Sequence, residues 1–268
     1  MSGRTESSSS AVAAHPPALI RAERSYFVEW GRRETNRAAL GTAGGTLAAL
    51  ALAAAHSPWW LLLLAPVLPA GGLLILFFRN PRREAPTGPV IVAPADGRVI
   101  EVETVDEPEY IGGPAHKVGI FLSIFDVHVN RAPTSGVVEY AKRRPGRYLD
   151  ARDTRSSREN ESQATGILST EPGAGGMKVL VRQISGAIAR RIICPLETGQ
   201  AVERGRLMGM IKYGSRTELF VPASRDGTGS PDATAPVVQV KVGDRVRGGE
   251  TVLYRYGARP VVTGRGPD

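Results

Sequence analysis

The chain has 268 residues, of which 42% are hydrophobic and 22% charged, with a formal net charge of +8. That is enough for one large or two small domains with a real core, so size alone excludes little. The single cysteine, Cys194, excludes an internal disulfide, and in the apolar run "IARRIICPL" it reads as a small buried hydrophobe. Much of the positive charge flanks a long apolar stretch, in "RAERSYFVEWGRRETNR" before it and "RNPRRE" after it, which fits anionic lipid headgroups. No segment combines spaced bases with aromatics, so no nucleic-acid partner is expected.

In chain order, residues 1–20 are rich in Ser, Ala and Pro without periodicity and read as a disordered tail. Residues 21–37 form a basic juxtamembrane segment. Residues 38–78 then run without a formal charge, long enough for two bilayer crossings broken at His56-Ser57-Pro58, with Trp59 and Trp60 suited to an interface. No small-residue cleavage site follows, so this is a retained helical hairpin rather than a secretory signal. Arginines at both outer ends place both termini in the cytoplasm by the positive-inside rule. Pro66, Pro69, Gly71 and Gly72 weaken the second helix and leave a shallow re-entrant hairpin as an alternative to a spanning one.

From Pro89 the pattern changes to short β-like runs between Gly and Pro, among them "PVIVAPADGRVIEVETV", "HKVGIFLSIFDVHVNRAP", "MGMIKYG" and "TELFVP". Residues 89–256 are therefore expected to be a mainly β domain, a compact β-barrel or sandwich. The stretch "LDARDTRSSRENESQATG" reads as an exposed loop with one short helical turn. "VKVGDRVRGGETV", with glycines at turn spacings around alternating Val, reads as a lipoyl-like hammerhead element.

Of the four histidines, His15 lies in the tail, His56 in the hairpin turn, and His116, after "IGGPA", reads as a loop residue. His128 in "DVHVNRAP" is different: if that run alternates as a strand, Asp126, His128 and Asn130 share one face, where a carboxylate or amide could orient the imidazole. A lone strand histidine is more often structural. Asp96 in "APADGRV" is explained by turn formation, or it orients a base at the mouth of the fold. Gly214-Ser215, between two strand-like runs, is a turn signal, or Ser215 is a nucleophile aimed at the carbonyl of a preceding glycine that leaves it unshielded. Ligand-spaced Cys and His are lacking and no Gly-rich loop opens a helix, so neither a metal nor a nucleotide cofactor is expected.

"PADGRV", "FLSIFDVHVNRAP", "ISGAIARRI" and "MIKYGSRTELFVP", in this order after a hydrophobic region ending "FFRNPRR", resemble the phosphatidylserine decarboxylase family, in its short prokaryotic branch. The similarity runs from about Leu73 to Tyr254. The resemblance implies a proenzyme that cuts itself between Gly214 and Ser215 into a longer β chain (1–214) and a shorter α chain (215–268), which stay together as a heterodimer. It implies that Ser215 becomes a pyruvoyl group, on which phosphatidylserine in an anionic membrane is decarboxylated to phosphatidylethanolamine through a Schiff base. His128 matches the family's acid-base histidine and Asp96 its self-cleavage aspartate.

One departure stands out: longer members carry a second histidine three residues after the first, as the base of an Asp-His-Ser triad, and this chain has Arg131 there. Arginine stays protonated, so either His128 serves both steps or the cleavage base lies elsewhere. Arg131, together with Asn130, Glu159 and Asn160, is a candidate substrate contact, and an ion pair of Arg131 with Asp126 or Glu139 is the structural alternative. Two competing readings remain: a pyruvoyl enzyme for another serine-headed lipid or an amino acid, and a membrane-anchored β domain that binds a partner without catalysis.

Overall fold

The structure, a computed structural model, describes residues 25–187, 191–212, 214–224 and 235–257. The expected tail, the "IAR" of the third motif, Tyr213 and the C-terminal residues from 258 lie outside them. After a 3-10 turn at Glu29–Gly31, helix α1 spans Arg32–Ala55; a second 3-10 segment, Pro58–Leu63, leads into α2, Leu64–Phe77. The break falls where the sequence requires it: Pro58 restricts Ser57, which is extended at φ −164° and ψ 140°. Pro69 lies inside α2 without ending it. Both helical stretches are long and apolar enough to cross a membrane, and only 6% and 11% of their apolar windows are buried. They are therefore not core helices of the β domain, and leucines such as Leu40, Leu47 and Leu62 face outward.

The remaining chain is mainly β. Its main sheet has eight antiparallel strands in the order β13 (Arg245–Val246), β2 (Gly97–Glu107), β3 (Gly113–Leu122), β11 (Ser215–Pro222), β7 (Lys178–Ile184), β6 (Ser162–Ser169), β5 (Gly136–Arg144) and β9 (Ala201–Val202). It curls into a half barrel. Two three-stranded sheets complete the fold: β4 (Val129–Arg131), β10 (Leu207–Lys212) and β8 (Arg191–Ile193) in the order β4-β10-β8, and β1 (Val90–Val92), β14 (Val252–Arg255) and β12 (Val237–Val238) in the order β1-β14-β12.

The period-2 rule explains where the core sits. Along β11, Leu219 and Val221 join Val118, Ile120 and Leu122 of β3 and Met208 and Met210 of β10 in one apolar cluster. Arg216 and Glu218 point the other way and are fully buried, with Arg216 Nη2 paired to Glu218 at 2.8 Å and also to Glu101. A one-residue slip would bring these charges into the apolar cluster, so the alternation pins the register of β11.

Three readings of the sequence are corrected. The run "FLSIFDVHVNRAP" is not one strand: β3 ends at Leu122, and Ser123–Asp126 turns sharply, with Asp126 N–H donating to Ser123 O (3.0 Å) and Ser123 N–H to Asp126 Oδ2 (2.8 Å). The Asp126 carboxylate staples its own turn, so Asp126, His128 and Asn130 do not line one strand face. His116 lies within β3, opposite Val221, with Thr104 Oγ1 3.0 Å from its Nδ1. The charged loop is shorter than expected, because after one helical turn at Ser156–Glu159 "SQATG" already belongs to β6. Within "VVQVKVGDRV", Val237, Val238 and Val242 are exposed, whereas Val246 lies in the main apolar cluster and Val240 packs against it.

Candidate active site

The chain changes sheets at the expected cut. It leaves the small sheet at Lys212, the last residue of β10, and enters the centre of the main sheet at Ser215, opposite Leu122 of β3. Gly214 makes the crossing with φ +62°, a left-handed conformation that glycine adopts at little cost. A Cβ on Gly186, between β7 and β8, would overlap the Gly214 carbonyl oxygen, so a second glycine lets that carbonyl be pressed between two backbones. Ser215 is fully buried, and its Oγ makes no hydrogen bond to a described residue. A buried hydroxyl without a partner is costly in a structural residue, and here it belongs to the serine beside the pinned carbonyl.

His128 reaches the same crossing from the end of β4. Its main-chain carbonyl accepts from Ile211 N–H of β10 (3.2 Å), which registers the residue against the strand leading to Gly214. The Nδ1 atom lies 2.9 Å from the carbonyl oxygen of Asp126; a carbonyl only accepts, so Nδ1 carries the hydrogen. Nε2 is then a lone pair, and Gly214 N–H donates to it at 3.3 Å. The ring is fully buried and lies over Phe77, the last residue of α2, with centroids 4.0 Å apart and planes inclined at 36°. Burial pushes its pKa down to about 4, against the pull of the Asp126 carbonyl and carboxylate. The imidazole is therefore neutral at pH 7 and ready to accept a proton. The orienting group is a backbone carbonyl, not the carboxylate expected from strand alternation.

The hairpin is tied to this crossing from both ends. Lys212, itself buried, donates from Nζ to Trp30 O (2.8 Å) and to Glu34 Oε1 (2.6 Å), while Val28 N–H donates to Phe78 O (3.0 Å). Phe77 and Gly186 were missed as site residues from sequence. Phe77 was absorbed into the apolar hairpin, and Gly186 lay inside a quoted motif whose glycine gives no pattern signal of its own.

Asp96 is held apart from His128. Its carboxylate pairs with Arg83 Nη2 (2.8 Å) and accepts from Gly248 N–H (2.8 Å); burial pushes its carboxyl up while Arg83, the Gly248 N–H and Arg131 pull it back. The ion pair expected for Arg131 with Asp126 or Glu139 is corrected: its buried guanidinium donates to Asn80 Oδ1 (2.6 Å), Pro81 O (2.8 Å) and Gly205 O (2.9 Å). Asn130 donates to Thr217 Oγ1 (3.0 Å) and accepts from Gln183 Nε2 (2.7 Å), pinning the small sheet to the main one. Asn160 is spent on Leu149, accepting its N–H (2.8 Å) and donating to its carbonyl (2.9 Å), and on Ser185 O (2.8 Å), the residue before Gly186. Glu159 pairs with exposed Arg147 at 3.2 Å. Asn130, Arg131 and Asn160 are thus buried and engaged by bonds within the chain, and Arg131 also borders an open cavity lined by Arg83, Arg204 and Arg206. Among the described residues, no group of three His, Cys, Asp or Glu is placed to hold a metal ion.

Comparison with known proteins agrees with this arrangement. The phosphatidylserine decarboxylase family matches residues 71–254. A phosphatidylserine decarboxylase proenzyme of Rhodopirellula baltica is 41% identical over 212 residues, covering 79% of this chain and 83% of its own. Those of Salinibacter ruber and Carboxydothermus hydrogenoformans are each 44% identical, over 70% and 74% of this chain and 78% and 85% of theirs. With a buried serine after a positive-φ glycine and a neutral histidine accepting that glycine's N–H, this chain belongs to the phosphatidylserine decarboxylase family.

Proposed function

We propose that the chain is a proenzyme that cuts itself between Gly214 and Ser215 and then decarboxylates phosphatidylserine to phosphatidylethanolamine and carbon dioxide. The observation that carries this reading is the buried Ser215 Oγ, to which no described residue hydrogen-bonds, beside a Gly214 whose N–H is held by His128 and whose carbonyl is backed by Gly186. In the first step Ser215 Oγ adds to the Gly214 carbonyl carbon and the C–N bond breaks, turning the amide into an ester. Loss of the Ser215 α-proton and of the acyl oxygen releases the longer chain with a Gly214 carboxylate. Tautomerisation and hydrolysis of the resulting dehydroalanine give a pyruvoyl group and ammonia. Neutral His128, with its lone pair at this crossing, is the acid-base group of the site, and Asp96 acts from further off by fixing Arg83 and the Gly248 turn.

Residue 215 suits the pyruvoyl group, since a buried, water-poor position protects a ketone next to an amide. Once formed, that group supplies the electron sink for the bond to the departing carboxylate. The chain's own contribution is proton handling. Cleavage turns the Gly214 carbonyl into a carboxylate on the residue whose N–H already donates to His128 Nε2, and that negative charge raises the proton affinity of the ring and makes it a donor toward the substrate α-carbon.

Residues 38–78 form the membrane hairpin and 89–256 the decarboxylase domain. Arginines at both ends of the hairpin favour the cytoplasmic face for that domain. The two chains remain associated, because β11 lies between β3 and β7 in the main sheet and cannot leave without exposing Leu219, Phe220 and Val221. The test is turnover of phosphatidylserine in vesicles by the full chain, with and without phenylhydrazine. Formation of phosphatidylethanolamine that stops as the hydrazine labels the shorter chain supports the reading; turnover indifferent to carbonyl reagents contradicts it.

A further inference from the structure

The Ser123–Asp126 turn exposes two adjacent large apolar side chains, Phe125 at 68% and Ile124 at 37%. Its position is fixed by one guanidinium: Arg79, just past the end of α2, donates Nη1 to Leu76 O (2.9 Å) and Nη2 to Phe125 O (2.6 Å). The tip of the turn is thereby strapped to the last turn of the apolar helix, where Leu74 and Leu76 are themselves exposed. Cations surround it. Arg98 and Arg245 face each other across β2 and β13, both exposed, and Arg245 reaches Asp126 Oδ1 at 3.5 Å. The one acidic side chain of the turn, Asp126, is engaged by Ser123 N–H and Arg245. Apolar tips ringed by arginine, continuous with a helix of membrane-spanning character, fit the interface of an anionic bilayer better than they fit water or a protein partner.

We propose that the Ser123–Asp126 turn is a second lipid-contacting element, with Ile124 and Phe125 inserted into the bilayer interface beside the end of α2. This rests on the reading of residues 38–78 as a membrane hairpin. The consequence concerns the site: Asp126, the last residue of the turn, supplies the carbonyl that orients His128. The element that touches lipid therefore also sets the imidazole, and a lipid headgroup in that leaflet lies at the level of His128 without leaving the interface.

The test uses the full chain in a Cys194→Ala background, with a single cysteine introduced by Phe125→Cys, Leu68→Cys or Glu197→Cys and labelled with an environment-sensitive fluorophore. Each variant is reconstituted into phosphatidylcholine–phosphatidylglycerol vesicles carrying a lipid-borne nitroxide quencher. Intact mass confirms self-processing, and hence folding, for each. The expected result is loss of most emission at positions 125 and 68, with position 197, in the exposed β8–β9 connection, unquenched. Position 125 behaving like position 197 while 68 is quenched overturns the proposal and leaves the hairpin reading standing. Neither 125 nor 68 being quenched removes both.

Discussion

His128, just before β4, and Arg131, its last residue, stand three residues apart, yet the structure uses them in opposite ways. Arg131 is saturated: its guanidinium is spent on Asn80, Pro81 and Gly205, and it locks the segment after the hairpin to the β domain. His128 has one nitrogen fixed by a carbonyl and the other accepting the N–H of Gly214, the residue before the proposed cut. Both are buried, so burial alone does not mark a candidate catalytic group; what marks His128 is a titratable lone pair held at Gly214 rather than a fixed charge spent on oxygens.

The largest effect separating the two ends is on chemistry. His128→Ala should lower turnover of phosphatidylserine by about 10²–10⁴-fold, the usual contribution of a positioned acid-base group, whereas Arg131→Ala protein that folds should still cut itself. His128→Ala protein that matures at the normal rate, followed by gel or mass, would remove His128 from self-cleavage and leave only its later role. The next effect is on stability. Arg131→Ala strands three buried oxygens and should lower the unfolding free energy in urea by about 3 kcal/mol, with Arg131→Lys recovering only part because an ammonium lacks the planar fork.

Acid should then expose the His128 end. Its folded pKa of about 4 lies below the unfolded value near 6.5, so the unfolded chain binds the extra proton first. Stability attributable to the neutral ring is full above pH 6.5 and falls by about 3 kcal/mol as pH drops toward 4. Urea titrations of Ser215→Ala protein at several pH values should show this slope, and the same titrations with His128→Ala added should lose it. A smaller, local effect follows from the stacked ring: Phe77→Ala opens one face of His128 to solvent and should raise its titration midpoint by about one unit, read by NMR in uncut protein. Gly186→Ala should slow cleavage and lower stability together, because its Cβ would meet the Gly214 carbonyl oxygen at 2.3 Å and the main chain must shift to admit it.

The β class, the helical hairpin and the place of Gly214-Ser215 between two strands were legible because each rests on a local signal: alternation between turn residues, a charge-free run, a glycine before serine after an apolar run. The geometry around His128 was not. Alternation predicted a carboxylate on its face, but Asp126 folded back to staple its own turn and left only its carbonyl. Phe77 and Gly186 act through approach in space, from a helix end and a loop far away in sequence. Asn160 lies in a polar loop of the sequence, and its bond to Ser185 O, far along the chain, is likewise visible only in space.

The most direct test of the account is the intact mass of the purified chain and of Ser215→Ala, each under denaturing conditions. The account predicts two fragments from the parent chain, one ending at Gly214 and one beginning at residue 215, the latter lighter by one ammonia than a serine terminus requires and refractory to Edman degradation, with Ser215→Ala uncut. A parent chain that stays whole while folded, or a Ser215→Ala chain that still divides at this bond, would contradict it.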